Sequence, residues 1–180
     1  MILKVLATLL LLPSLLTFSS SKGDNDIQWN ASRRLTWSDF KSQPDRNATN
    51  AALTSSKIIF NYSYGDEKGF TYTISCVFDK TSSWGKVKTE YILSHEQGHF
   101  DIAEIYARKL NKALKHYSFN VKKSPKEVPA LYQQLMKDEA ELQSQYDSET
   151  DFSRDKPQQA IWLEKIQREL DKLKDYAGYH

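Results

Sequence analysis

The sequence predicts an α+β fold, a small antiparallel sheet towards the N-terminus followed by three helices, and three observations predict it. Ala51 to Tyr64 and Phe70 to Phe78 are rich in Ile, Phe, Tyr, Ser and Thr and flank a Gly-Asp-Glu-Lys-Gly turn at residues 65–69, the pattern of a hairpin. From Thr89 to Tyr117 there is no proline, and apolar residues recur at helical spacing through Ile92, Leu93, Ile102, Ala103, Tyr106, Leu110 and Leu114. Two later stretches, Ser124 to Tyr146 and Pro157 to Tyr176, repeat that spacing. Strands come first and helices afterwards, which separates this class from alternating α/β chains.

The elements follow in order. Lys4 precedes an almost purely apolar run, Val5 to Leu16, which leaves through Thr17-Phe18-Ser19-Ser20-Ser21. A charged start, a short apolar centre and a small-residue exit describe a secretory signal peptide over residues 1–21. The run is short for a membrane span, and Pro13 interrupts it. The expectation is an exported protein, secreted or periplasmic, with no stable membrane insertion once the leader is cleaved. Residues 22–34 read as a loose polar leader and 35–180 as one domain. Leu35 to Phe40 reads as a short strand ending in a Ser-Asp turn, and Gln43 to Asn50 as loop. Ser124-Pro125-Lys126-Glu127 opens the second helix, with serine as cap and proline in the first turn. Tyr146 to Asp155 reads as a polar break before the last helix.

Composition narrows the partners. The 180 residues include 25 Lys+Arg and 23 Asp+Glu, a formal net charge of +2. That balance gives no reason to expect nucleic acid or an acidic membrane surface. Cys76 is the only cysteine, so no internal disulfide can form. Its place in an alternating strand favours a buried core thiol over a nucleophile. Trp37, Trp84 and Trp162 read as core anchors.

The chemistry-bearing segment is His95-Glu96-Gln97-Gly98-His99, inside the first long helix. At about 100° per residue, His95 and His99 lie only about 40° apart around the axis, so both imidazoles can converge on one ion. Glu96 projects at the edge of that face. This is the zincin arrangement, with two histidine ligands and a glutamate general base. It predicts a Zn2+ site held by His95 and His99, with Glu96 as the catalytic residue taking a proton from water. A chance match in a chain of this length is on the order of one in two hundred. Gly98 within a helix costs about 1 kcal/mol against alanine, which suits close approach of another backbone or room for substrate.

A third protein ligand is required. Glu104 sits on the far side of the helix and suits pairing with Arg108 at i+4. His116 lies too far along the axis. The candidates are Asp138, Glu139 and Glu141 on the next helix, and Asp147, Glu149 and Asp151 in the polar break. Tyr146 suits a core position better than an oxyanion donor, and Asp101 reads as a surface charge or a cap to a loop.

The run from His95 to Glu104 resembles the signature of a bacterial family of predicted secreted zinc-dependent proteases, domain of unknown function 922. Leu35-Thr36-Trp37-Ser38-Asp39-Phe40, Ala51-Ala52-Leu53-Thr54, Ser83-Trp84, Tyr146-Asp147-Ser148-Glu149-Thr150, Gln159 and Trp162 follow the family in order. The resemblance implies a zincin-like metalloprotease domain. In many members the Tyr-Asp-x-Glu-Thr segment continues with x-His-Gly, whereas here Thr150 is followed by Asp151-Phe152-Ser153. Phe152 cannot replace a ligating histidine, so Asp147 or a neighbouring carboxylate is the expected third ligand, with Asp147 preferred. The expected partner is a peptide or protein substrate, paired along the strand nearest the active helix. Two alternatives have the same residues: a non-catalytic zincin-like binding module of the cell envelope, and a metal-dependent amidase of the cell wall.

Overall fold

The structure is a computed structural model that describes residues 25–44, 46–65 and 69–179; the expected signal peptide lies outside the described residues. The described residues form an α+β fold with five short or medium strands and three α-helices. Strand β1 (Asp26–Gln28), β3 (Ser56–Gly65) and β4 (Gly69–Asp79) make an antiparallel sheet in the order β1-β4-β3. β2 (Ala52–Leu53) pairs with β5 (Trp84–Gly85) as a second, two-stranded piece. The β3–β4 register runs from Ser56 opposite Phe78 to Gly65 opposite Gly69. Gly69 closes that hairpin at φ 63°, a left-handed conformation that glycine adopts without cost.

Two of the sequence expectations need correction in the N-terminal part. The segment read as a loose leader supplies β1, because Ile27 is buried and pairs with Phe78. Leu35 to Phe40 is not a strand; Trp37–Asp39 forms a 3-10 turn. Its cause is Asp39, whose carboxylate accepts the Thr36 amide at 2.8 Å, the Thr36 hydroxyl at 3.0 Å and Arg33 at 2.7 Å. A side chain that captures its own backbone in this way competes with strand pairing.

Helix α1 (Glu90–Lys115) starts at Thr89, whose hydroxyl accepts the Ile92 amide at 3.2 Å. Sixteen of its 26 residues are buried, so it is the central post of the domain rather than a surface helix. The sheet packs on one side, and α2 (Ser124–Glu149) and α3 (Lys156–Lys172) pack on the others. Helices α1 and α2 run antiparallel, since His99 meets Gln143 while His95 meets Tyr146. Ser124 does not cap α2 as expected; its hydroxyl accepts the Asn120 amide at 2.9 Å and meets Tyr117 at 2.8 Å, tying down the α1–α2 connection. The core between helices and sheet includes Ile74, Phe78, Phe100, Ile102, Leu110 and Trp162. Cys76 is fully buried there, and burial pushes its thiol well above the usual value, which suits a core residue and not a nucleophile. Among the described residues no helix is long and apolar enough to cross a membrane.

The expected polar break is one turn shorter than the sequence suggested. α2 continues through Asp147 to Glu149 because Tyr146 is completely buried against α1. It stops where Thr150 turns its hydroxyl back onto the Tyr146 carbonyl at 2.7 Å. Asp151, Phe152 and Ser153 then take left-handed φ values of 48°, 50° and 72°. Phe152 donates its amide to the Asp147 carbonyl at 2.8 Å, and Arg154 grips both oxygens of Asp151 at 2.9 and 2.7 Å.

Candidate metal centre

His95 and His99 stand one turn apart on α1 and aim their Nε2 atoms at the same point. Those atoms are 3.2 Å apart. Asp147, from the last turn of α2, brings Oδ1 to 3.2 Å from His95 Nε2 and 3.1 Å from His99 Nε2. Three donor atoms thus form a nearly equilateral triangle, a group that could hold a metal ion. A tetrahedral ion with ligands at about 2.0 Å has edges of about 3.3 Å, so the triangle has the dimensions of one face of such a site. The lone pairs of two imidazole nitrogens and a carboxylate repel one another at this distance unless a proton or a cation sits between them.

The charges respond to that convergence. Burial opposes ionisation of Asp147, but hydrogen bonds from His95 and His99 outweigh it and hold the carboxyl well below its usual range. Burial likewise opposes a charged His99, yet the bond to Asp147 and the charges of Glu96 and Asp147 raise its pKa. Glu96 is buried beside the triangle, and burial pushes its carboxyl up against the opposing pull of His99, the Thr54 hydroxyl and His95. Its Oε2 has no hydrogen-bond partner. A buried, unpartnered carboxylate oxygen is costly to the fold, and Glu96 lines an open cleft of about 450 Å³ together with both histidines and Asp147.

Each ring is positioned differently. His95 stacks on Tyr146, with ring centroids 4.5 Å apart and planes at 20°. Tyr146 in turn donates its hydroxyl to the His95 carbonyl at 3.3 Å, so it is a core support and not a group in the cleft. Its ring explains Gly98: a Cβ at that position would lie 2.5 Å from the Tyr146 hydroxyl. The glycine makes room for a neighbouring side chain, where the sequence reading had looked to a backbone or to substrate. His99 is held by Gln143, whose Oε1 is 2.6 Å from Nδ1.

A match decides the family at this point. A profile described as a bacterial protein of unknown function (DUF922) matches residues 27–154. The chain belongs to this family. The DUF922 span opens in β1 and closes just past the left-handed turn, so it contains the whole triangle and both helices that build it. Helix α3 lies beyond the match and buttresses the site from behind, with Trp162 against the Tyr146 ring at 5.4 Å. Neither the curated proteins nor the solved structures give a match.

Of the other candidate ligands, none joins the triangle. Glu149 accepts the Trp162 indole at 2.8 Å, and Asp151 is engaged by Arg154. Asp138 accepts Gln134 at 2.7 Å, and Glu141 lies beside Lys137 on the exposed face. Glu139 lines the cleft but accepts Gln143 Nε2 at 2.7 Å. Glu104 pairs with Arg108 at 2.8 Å, as its i+4 spacing suggested. Asp101 is a correction: it is buried, and accepts Trp29 at 2.8 Å, Gln97 at 2.9 Å and Arg34 at 3.0 Å. Trp84 and Trp162 are buried, whereas Trp37 is only partly so. Gln143 was missed altogether. The available signal was its position four residues before Asp147, which puts both on one face of a helix.

Proposed function

We propose that this protein is an exported zinc-dependent metallopeptidase with a zincin-like site. The observation that carries the reading is the triangle of His95 Nε2, His99 Nε2 and Asp147 Oδ1 with edges of 3.1–3.2 Å, beside the buried and unpartnered Oε2 of Glu96. These three residues would hold Zn2+, which supplies a Lewis acid and lowers the pKa of water. Glu96 is the proton acceptor, since its carboxyl lies in the same cleft and burial raises its basicity. The left-handed turn keeps Asp147 in place through the Phe152 amide, independently of any ion.

The cleft also suits an extended peptide. β3 is the outer strand of its sheet. The carbonyl of Ser55 bonds the Asp79 amide on β4's side, so strand alternation turns the amides and carbonyls of Ser56 and Ile58 to the open edge. Tyr132 takes the Ile58 carbonyl at 2.9 Å. Ser56 presents its own groups at the cleft it lines, where a substrate strand can add. Export is proposed on the leader-like residues 1–21.

The test joins two measurements on purified protein lacking residues 1–21. Elemental analysis is expected to return about one zinc per chain, lost in His95→Ala and His99→Ala. A broad peptide library is expected to be cleaved, with cleavage abolished by chelator and restored by zinc. Zinc content equal in wild type and both variants would refute the site. Stoichiometric zinc with no cleavage of any peptide would favour the binding module.

A further inference from the structure

We propose that Gln143 is the positioning residue that commits His99 to offering its Nε2 lone pair to the cleft. The inference rests on the metal reading above, and concerns which ring nitrogen carries hydrogen. A neutral imidazole has one N–H and one lone pair, and the hydrogen bond made by one nitrogen decides the role of the other. His99 Nδ1 is 2.6 Å from Gln143 Oε1. A carboxamide oxygen only accepts, so Nδ1 carries the hydrogen; in the neutral ring Nε2 then keeps its lone pair, and Asp147 Oδ1 at 3.1 Å takes a hydrogen from Nε2 only when the ring is doubly protonated.

The orientation of the amide is itself determined. Gln143 Nε2 lies 3.0 Å from the His99 carbonyl and 2.7 Å from Glu139 Oε1. Both of those oxygens are acceptors, so the NH2 group must point at them. Turning the amide over would set two oxygens against its own oxygen and a donor against His99 Nδ1. Glu139 and the α1 backbone therefore fix Gln143, and Gln143 fixes His99. The chain of bonds runs through one turn of α2, from Glu139 to Gln143, and ends one turn before Asp147.

His95 supplies the contrast within the same site. Its Nδ1 is buried without a partner, and its ring is held by stacking on Tyr146. Stacking fixes the plane of a ring but not its tautomer. The two ligands thus differ in how they are prepared, and only one depends on Gln143.

The experiment compares wild type with Gln143→Leu, which keeps the bulk and removes both bonds, and Gln143→Glu, which keeps an acceptor for Nδ1–H. Long-range proton–nitrogen NMR of metal-free protein, recorded on the neutral ring, reads the His99 tautomer directly. Wild type and Gln143→Glu are expected to show hydrogen on Nδ1, and Gln143→Leu to lose that preference while His95 is unchanged. Zinc affinity by chelator competition is expected to fall about 10–100-fold in Gln143→Leu, the usual range for a bond behind a metal ligand, and to be largely rescued in Gln143→Glu. Hydrogen on Nε2 of His99 in the wild type overturns the proposal, as does equal zinc affinity in wild type and Gln143→Leu. Equal loss in the Glu and Leu variants also overturns it, since that is the result of a packing role. If wild type binds no zinc, the metal reading fails while the tautomer measurement still decides the role of Gln143.

Discussion

The two sides of α1 treat buried charge in opposite ways. On the side facing the sheet and the N-terminal segment, Asp101 accepts Trp29, Gln97 and Arg34, and Glu104 accepts Arg108 and Tyr179. Both carboxylates are at most 4% exposed, and both are fully served by donors. On the side facing α2, Glu96 is equally buried at 4%, yet Oε2 has no partner, and neither has Nδ1 of His95. Burial and residue type are the same; satisfaction differs. Satisfied buried charge specifies structure, whereas an unsatisfied one marks a candidate functional group. Gln97 belongs to the satisfied side although it sits within the histidine segment: its Oε1 takes the Leu35 amide at 2.7 Å while its Nε2 serves Asp101.

The largest expected effect comes from the unsatisfied side. Under the proposed peptidase reading, Glu96→Gln should lower peptide hydrolysis by about 10²–10⁴-fold, the usual contribution of a general base, with zinc content unchanged. Thermal unfolding should show equal or higher stability, because a buried carboxylate without a partner is replaced by a neutral amide. A variant that keeps its activity, or that unfolds, breaks the contrast.

Arg108→Met tests the other side. It leaves Glu104 buried without its cationic partner, so urea unfolding should register a loss of about 3–5 kcal/mol. Zinc affinity of the folded variant should match wild type. A change in zinc affinity without loss of stability would mean that the two sides are not separate.

Gly98→Ala acts on the boundary between them. The added methyl meets the Tyr146 ring, the support of His95. Overpacking costs about 1–3 kcal/mol, offset by about 1 kcal/mol of helix propensity. The measured loss should be small, and zinc affinity should fall because Tyr146 is displaced. A more stable variant with unchanged zinc affinity would show that the glycine has no part in seating that ring.

The smallest effect concerns acid. The Lys57 hydrogen bond holds Asp79 well below its usual pKa against the opposing effect of burial, with further help from Thr81 and Ser82. A depressed folded-state pKa gives stability that is present above the unfolded value of about 3.9 and is lost as pH falls through the folded one. Asp79→Asn should therefore be less stable than wild type at neutral pH, and the difference should shrink in strong acid. A difference that grows on acidification has the wrong sign for a satisfied carboxylate.

Much of the fold was legible because it is local. The hairpin followed from alternation and a glycine turn, and three helices followed from apolar spacing. Boundaries failed where a single polar side chain or one buried ring overrode the local pattern: Asp39 turned an expected strand into a 3-10 turn, and Tyr146 carried α2 one turn further than its polar neighbours suggested. β1 was invisible because three residues with one buried isoleucine carry almost no period.

The candidate site divides along the same line. His95, Glu96 and His99 were fixed by the sequence, since i, i+1 and i+4 on one helix have a set geometry wherever that helix goes. Asp147, Glu139 and Gln143 were not, because their distances to α1 depend on how α2 is docked. Six carboxylates were candidates for one position, and only the family resemblance preferred Asp147. The docking chose among them by rotation about the α2 axis: Tyr146 buries its ring against His95 and the Cβ-less Gly98, which turns Asp147 inward and sends Glu149 to Trp162. A contact between residues some 50 positions apart is set by packing of whole faces, and that information resides in the assembled core and in no single stretch of the chain.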